Sequence, residues 1–166
     1  MALNKGKMWE RCFQESWKAT FPSSFILRIP DQQSGYVGTS SNISDFIAFK
    51  SPYLYLIECK STKGNTLPLS NLKQYERLLL YKDLPYVKIG FIVWWIDKGV
   101  TAWVPLHSVT DIKKDNKKSI HVDYVTQKLY NIIEVKNEIK RVYPKCDLSV
   151  ILEEESYETN IQNNIK

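Results

Sequence analysis

Asp45, Glu58 and Lys60 are the residues of this chain whose types and spacing could do chemistry. Glu58 and Lys60 close the apolar run Tyr53-Leu54-Tyr55-Leu56-Ile57, which reads as a strand. Period-two alternation puts both side chains on one face of its sheet. A carboxylate and an amine at the rim of an apolar strand are costly to desolvate unless something pairs with them. Ile43-Ser44-Asp45-Phe46-Ile47-Ala48-Phe49 reads as the preceding strand, with Ser51-Pro52 as the turn. A hairpin centred between residues 51 and 52 places Asp45 opposite Glu58. Two carboxylates facing each other repel, so a cation is expected between them. Hard oxygen ligands make it a divalent one.

The elements that must hold this trio follow from periodicity and breakers. Over residues 3–20, Trp9, Cys12, Phe13 and Trp17 fall on one helical face, with Glu10 at the edge of that stripe. Pro22 ends the helix, and residues 25–29 form a first strand. Residues 31–42 have loop composition with two glycines. Residues 43–49 and 53–60 are the hairpin strands, and 61–68 a polar loop. Ser70 is expected to cap a helix running to about Asp83, with Leu72, Tyr75 and Leu79 on its apolar face. Gln74, Arg77 and Tyr81 share another face, with Lys73 beside them. Residues 86–96 and 100–105 read as a second hairpin around Asp97-Lys98-Gly99. A short helix at 106–114, a basic loop at 115–118 and a mixed element at 130–143 ending at Pro144 complete the expectation. Trp94 and Trp95 are adjacent in an apolar strand and read mostly as core and sheet packing; one must point the other way, which leaves a stacking or interface role open to it. The alternation of helices and strands predicts an α/β three-layer fold with a mixed sheet.

Composition narrows the classes. Aromatics at 13% and apolar residues at 43% describe a globular chain, not a disordered one. The net charge of +5 understates the body, because residues 151–166 carry four glutamates against one lysine; without them the net charge is +8. A basic body favours a polyanionic partner. Cys12, Cys59 and Cys146 match neither a zinc spacing nor a disulfide framework, which predicts a reducing, cytoplasmic setting. His107 and His121 form no cluster with each other or with the cysteines. The longest apolar run, Ile89 to Ile96, is too short to cross a bilayer.

Asp45, Glu58-x-Lys60 and an upstream helix carrying Glu10 resemble the PD-(D/E)XK nuclease superfamily. The order of elements resembles the RecU-type Holliday junction resolvases of low-GC Gram-positive bacteria and their phages. The likeness runs from Asn4-Lys5-Gly6 through Ser44-Asp45-Phe46, Glu58-Cys59-Lys60-Ser61-Thr62 and Leu67-Pro68-Leu69 to the Gln74 helix. It continues more weakly through 88–106 and Lys117-Lys118-Ser119-Ile120. The resemblance implies a restriction-endonuclease-like core, with a central mixed sheet flanked by helices. Residues 1–152 would form one nuclease domain, and 153–166 a flexible acidic tail.

The resemblance also implies an Mg²⁺-dependent endodeoxyribonuclease, with Mn²⁺ able to substitute and one or two ions per active site. Asp45 and Glu58 would ligate the metal, and the carbonyl of Cys59 would be a third ligand. Lys60 would orient the attacking water and stabilise the transition state. Glu10 would hold a second metal or the first metal's waters, and Gln74 would touch the site. The expected nucleic-acid contacts are Lys5, Lys7, Lys63, Lys73, Gln74 and Arg77. The expected partners are four-way DNA junctions and a second copy of the chain, since paired sites address paired strands. No small-molecule cofactor and no membrane are implied. RecU relatives carry a long stalk between the first strand and the Asp-bearing strand, where this chain has only residues 31–42. The small archaeal junction resolvases share the catalytic core and also have short insertions there.

Each residue also has an ordinary structural reading. A strand-end Asp is often a turn or cap residue, and Glu58–Lys60 could be a surface pair of little worth. Glu10 and Gln74 could be helix-surface residues, and Lys73 and Arg77 a solvated face. Lys113, Lys114, Lys117 and Lys118, around Asp115, read equally as a phosphate-binding edge or a solvated loop. Three functions stay open: a junction endonuclease, another PD-(D/E)XK nuclease of restriction or repair type acting on duplexes or ends, and a non-catalytic DNA-binding protein.

Overall fold

The computed structural model describes residues 5–30, 42–140 and 143–154. A six-stranded sheet in the order β1-β2-β3-β5-β6-β8 forms its centre. These strands are β1 (Phe25–Arg28), β2 (Phe46–Lys50), β3 (Tyr53–Thr62), β5 (Val87–Trp95), β6 (Val100–Pro105) and β8 (Ile133–Val135). The β3–β5 pair is parallel and every other neighbour antiparallel, so the sheet is mixed. Two ribbons flank it: β4 (Thr66–Pro68) with β7 (Ser119–His121), and β9 (Asn137–Lys140) with β10 (Tyr143–Cys146). The helices are α1 (Lys5–Thr20), α2 (Tyr75–Leu78), α3 (Leu106–Lys114) and α4 (Asp123–Thr126).

Apolar alternation along the strands builds two cores, one on each face. On one face Trp9, Phe13 and Trp17 of α1 meet Phe46, Ala48, Tyr55, Ile57, Trp94 and Trp103. Aromatic edges carry that contact: Phe13 lies 5.3 Å from Phe46 and Trp17 5.3 Å from Tyr55, ring to ring. Ser16 Oγ accepts from the Cys146 N–H at 3.0 Å, tying α1 to β10. On the other face Leu56, Phe91, Val93 and Trp95 pack against Leu67, Leu72, Tyr75, Leu78, Val109, Ile112 and Ile120. The result is the expected α/β three-layer arrangement, with helices on both faces of a mixed sheet. Gly90 is required where β5 and β6 close up, because a Cβ there would lie 2.5 Å from the Trp103 ring.

Several expectations change. The helix expected over 70–83 is instead a 3-10 turn (Leu69–Asn71), α2, and a second 3-10 turn (Leu79–Tyr81), and Ser70 caps nothing. Leu72 breaks the run with ψ 60, and Leu69 is already committed through its N–H to the carbonyl of Lys118 at 2.9 Å. The buried positions Leu72, Tyr75 and Leu78 recur every three residues, the period of a 3-10 helix. The loop expected over 61–68 contains β4. The element expected over 130–143 resolves into β8, β9 and the start of β10, and Pro144 lies inside β10, in a two-stranded ribbon where a missing N–H is tolerated. Trp94 and Trp95 point to opposite faces and both are buried, in agreement with the core reading, which leaves neither for stacking. The hairpin 86–105 forms as expected, with Gly99 left-handed at φ 63. The loop at 31–41 and the tail beyond residue 154 lie outside the described residues. No described helix is long and apolar enough to cross a membrane.

Candidate active site

The β2–β3 register decides the site. Phe46 pairs with Ile57 and Lys50 with Tyr53, which is the hairpin centred between residues 51 and 52. One step further, Asp45 stands opposite Glu58, just past the last ladder pair. Two local bonds fix the approach of Asp45. Asn42 Nδ2 donates to the Pro30 carbonyl at 2.6 Å, and the buried Ser44 Oγ donates to the Phe46 carbonyl at 2.9 Å. The Asp45 carbonyl itself accepts from the Ile29 N–H at 2.8 Å, continuing the β1–β2 pairing.

β3 outruns β2 at this end, so its backbone from Glu58 onward lacks a ladder partner on that side. The Asp45 carboxylate fills part of the gap: the Cys59 N–H donates to its Oδ2 at 2.8 Å. In an extended strand the N–H and C=O of one residue face the same neighbour. The Cys59 carbonyl therefore faces the gap that Asp45 occupies. The Cys59 thiol points to the α1 core and is pushed well above its ordinary pKa by burial, then by the charges of Asp45, Glu10 and Glu58. It is inert as a nucleophile.

Glu58 is fully buried, and neither carboxylate oxygen has a hydrogen-bond partner. Lys60 Nζ lies 2.9 Å from its Oε2, an ion-pair distance without hydrogen-bond alignment, and Lys60 stays 21% exposed. Burial, and after it the charge of Asp45, push the Glu58 pKa up to about 7, with Lys60 only partly offsetting both. A buried carboxylate with no aligned hydrogen bond, opposite a second carboxylate and beside the Cys59 carbonyl, is a set of hard donors that a divalent cation fits.

Glu10 comes from the other layer. Arg28 Nε donates to Glu10 Oε2 at 2.7 Å, and Arg28 Nη2 stands 2.6 Å from the same oxygen. Glu10 is close enough to Cys59 to act on its thiol, yet no described group of three or more His, Cys, Asp or Glu side chains is placed to hold a metal. The structure thus brings Asp45, Glu58, Lys60 and Cys59 together and leaves Glu10 paired on the far face of the sheet end. Gln74 is half-buried, and its Oε1 is enclosed without a hydrogen-bond partner. Lys5, Lys7, Lys63 and Lys73 are exposed, and Arg77 is half-buried. Two cavities of about 310 and 320 Å³ lie elsewhere and include none of Asp45, Glu58 or Lys60.

Sequence reasoning missed Ser44 and Arg28. Ser44 had a readable signal, a hydroxyl one residue before the critical Asp in an apolar strand. Arg28 had one too, a guanidinium in the otherwise apolar Phe25-Ile26-Leu27-Arg28-Ile29.

No protein-family model matches this chain, and no curated protein matches it. A solved structure of Hjc, a Holliday junction resolvase from the archaeal hyperthermophile Archaeoglobus fulgidus, does match in fold. It aligns with a TM-score of 0.50 at 20% sequence identity, covering 71% of this chain and 89% of that one.

Proposed function

We propose that the chain is a divalent-metal-dependent endodeoxyribonuclease of the PD-(D/E)XK type, RecU-like in its order of elements, that resolves four-way DNA junctions as a homodimer. One observation carries the reading: buried Glu58 lies opposite Asp45, neither of its oxygens has an aligned hydrogen bond, and the only cation beside it among the described residues is the partly exposed Lys60 ammonium, 2.9 Å from Oε2. A scaffold has little use for that arrangement, because burying a carboxylate against a second one, with a single partly exposed cation to offset both, costs stability. The fold shared with a junction resolvase and the basic body support it.

Asp45, Glu58 and the Cys59 carbonyl would hold Mg²⁺, or Mn²⁺ in its place. When bound, the ion lowers the pKa of water and neutralises developing phosphate charge. Asp45 holds its position by accepting from the Cys59 N–H, so the carboxylate is oriented before any substrate arrives. Lys60 keeps its ammonium partly in solvent on the face of Glu58, where it meets the scissile phosphate and the attacking water. That charge stabilises the pentavalent phosphate more than the ground state. Glu10, fixed by Arg28, acts at one remove by holding the end of the sheet near Cys59. Lys5, Lys7, Lys63, Lys73, Arg77 and Gln74 are the proposed backbone contacts.

One chain carries one such site, and symmetric resolution takes two. Phe25, Phe49 and Leu54 stand side by side across β1–β2–β3, with Leu27 next to them, and all four are exposed. This apolar row at the sheet edge is the proposed contact with the second copy.

The test is cleavage of a synthetic four-way junction against linear duplex, single strand and flap in Mg²⁺, with sedimentation of the same preparation. Paired symmetric nicks in the junction by a dimer are expected. Equal cutting of linear duplex would indicate another PD-(D/E)XK nuclease. Tight junction binding without cleavage in Mg²⁺ or Mn²⁺ would indicate a non-catalytic DNA-binding protein.

A further inference from the structure

The lysine cluster after α3 is split by the fold. Lys113 is 2.8 Å from Glu76, and Lys114 is 2.9 Å from Asp111, so both are spent within the protein. Lys117 and Lys118 are exposed and, with Lys63 and Lys128, enter no ion pair among the described residues. The acidic groups nearby are engaged by others. Asp115 accepts from the Tyr130 hydroxyl at 2.7 Å, Asp123 stands 3.2 Å from His121, and Asp97 accepts from the Gly64 N–H at 3.1 Å.

The β4–β7 ribbon connects these lysines to the catalytic strand. Thr66 pairs with His121 and Pro68 with Ser119, and the Leu69 N–H donates to the Lys118 carbonyl. Leu67 and Ile120 of the ribbon are buried in the same core as Leu56. Leu56, Glu58 and Lys60 share one face by alternation, so the ribbon lies on the catalytic side of the sheet. Its outer face carries Thr66, Pro68, Ser119 and His121, with no carboxylate among them. Lys63 precedes the Thr66 end of the ribbon, and Lys117–Lys118 stand at its Pro68 end. Fully extended, the nine residues from Lys60 to Leu69 would span about 30 Å. The Thr62 Oγ1 bond to the Thr66 carbonyl at 2.9 Å turns the chain back, so the reach from Lys60 to the Leu69–Lys118 bond is shorter than that. That is less than one turn of B-form duplex, about 34 Å.

Resting on the nuclease reading, we propose that this ribbon is a second contact for the DNA backbone. Lys117 and Lys118 neutralise phosphates of the arm that is being cut, less than one helical turn from the scissile bond. The contact is to phosphate and therefore blind to sequence. Leu67 and Ile120 anchor the ribbon in the core, so the unpaired lysine pair is carried on a packed element.

The test is the salt dependence of duplex-arm binding in EDTA by the full chain. Lys117→Gln with Lys118→Gln should reduce the magnitude of the log K against log[salt] slope by about 1.8, two phosphates' worth. Lys50→Gln with Lys82→Gln, which removes two lysines at the opposite end of the sheet, should leave it unchanged. An unchanged slope in the first pair, or an equal fall in both, would overturn the proposal, as would failure to bind duplex. Cleavage in Mg²⁺ is read separately. A chain that binds with the expected slopes but cuts no DNA would sink the nuclease reading and leave the ribbon contact standing.

Discussion

Two acid–base pairs sit on opposite faces of the same sheet end, and they are built differently. Glu10 receives an aligned guanidinium bond from Arg28, with the two side chains 16% and 32% exposed. Charge-assisted geometry of that kind satisfies the carboxylate. Glu58 is 0% exposed, has no aligned donor, and faces a second carboxylate. A buried charge left in that state costs more than its single cation returns. The first pair is complete as it stands, whereas the second is short of positive charge. The missing charge, more than the carboxylates themselves, marks where the chemistry is.

Asp45→Asn and Glu58→Gln put the largest strain on this contrast. Each should lower junction cleavage by about 10³-fold or more, because each removes a metal ligand. Without metal, Asp45→Asn should leave the melting temperature unchanged or raise it, since it removes a repulsion. Lys60→Gln should lower cleavage by about 10²-fold. Glu10→Gln, already paired by Arg28, should cost about tenfold. A loss for Glu10→Gln as large as that for Asp45→Asn would place Glu10 among the metal ligands and end the distinction between the two pairs. Rates under saturating DNA, with melting curves for each variant, decide it.

The two pairs should also separate by pH. Glu58 has a folded pKa of about 7, above its ordinary 4.5, so the folded chain keeps a proton that the unfolded chain releases. The stability associated with this group is present below pH 4.5 and is lost as pH rises through 7, by about 3 kcal/mol. A divalent cation requires the ionised form, so Mg²⁺ should cancel most of the loss. Melting of wild type and Glu58→Gln at pH 5 to 8, in EDTA and in Mg²⁺, checks it. A wild-type curve parallel to that of Glu58→Gln in EDTA would mean that Glu58 is not strained.

The same division explains what was legible in the sequence. The Asp45–Glu58 register could be read because it is local: a tight turn at Ser51-Pro52 and period-two alternation fix every pair of the hairpin. The Trp9, Phe13 and Trp17 stripe of α1 was readable for the same reason. The β4–β7 ribbon was not, because Thr66 and His121 are far apart in the chain and each strand has only three residues. The broken helix at 69–81 was misread because its apolar spacing fits both 3.6 and 3.0 residues per turn, and Lys118, which commits Leu69, is also remote. The pairing of Glu10 with Arg28 joins a helix to a strand across the α1 interface, which no local pattern records.

Arg28→Ala gives the smallest effect and isolates the completed pair. It leaves Glu10 mostly buried without its aligned donor, against α1 residues that hold the larger aromatic core. Losing a charge-assisted bond of this partial exposure should cost about 1–2 kcal/mol, readable in chemical denaturation. Its effect on cleavage should be no larger than that of Glu10→Gln, because both act on the sheet end through the same bond. The double variant should then cost less than the sum of the two, as expected for residues in contact. Strict additivity would mean that Glu10 and Arg28 act separately, and Glu10 would need another partner near Cys59.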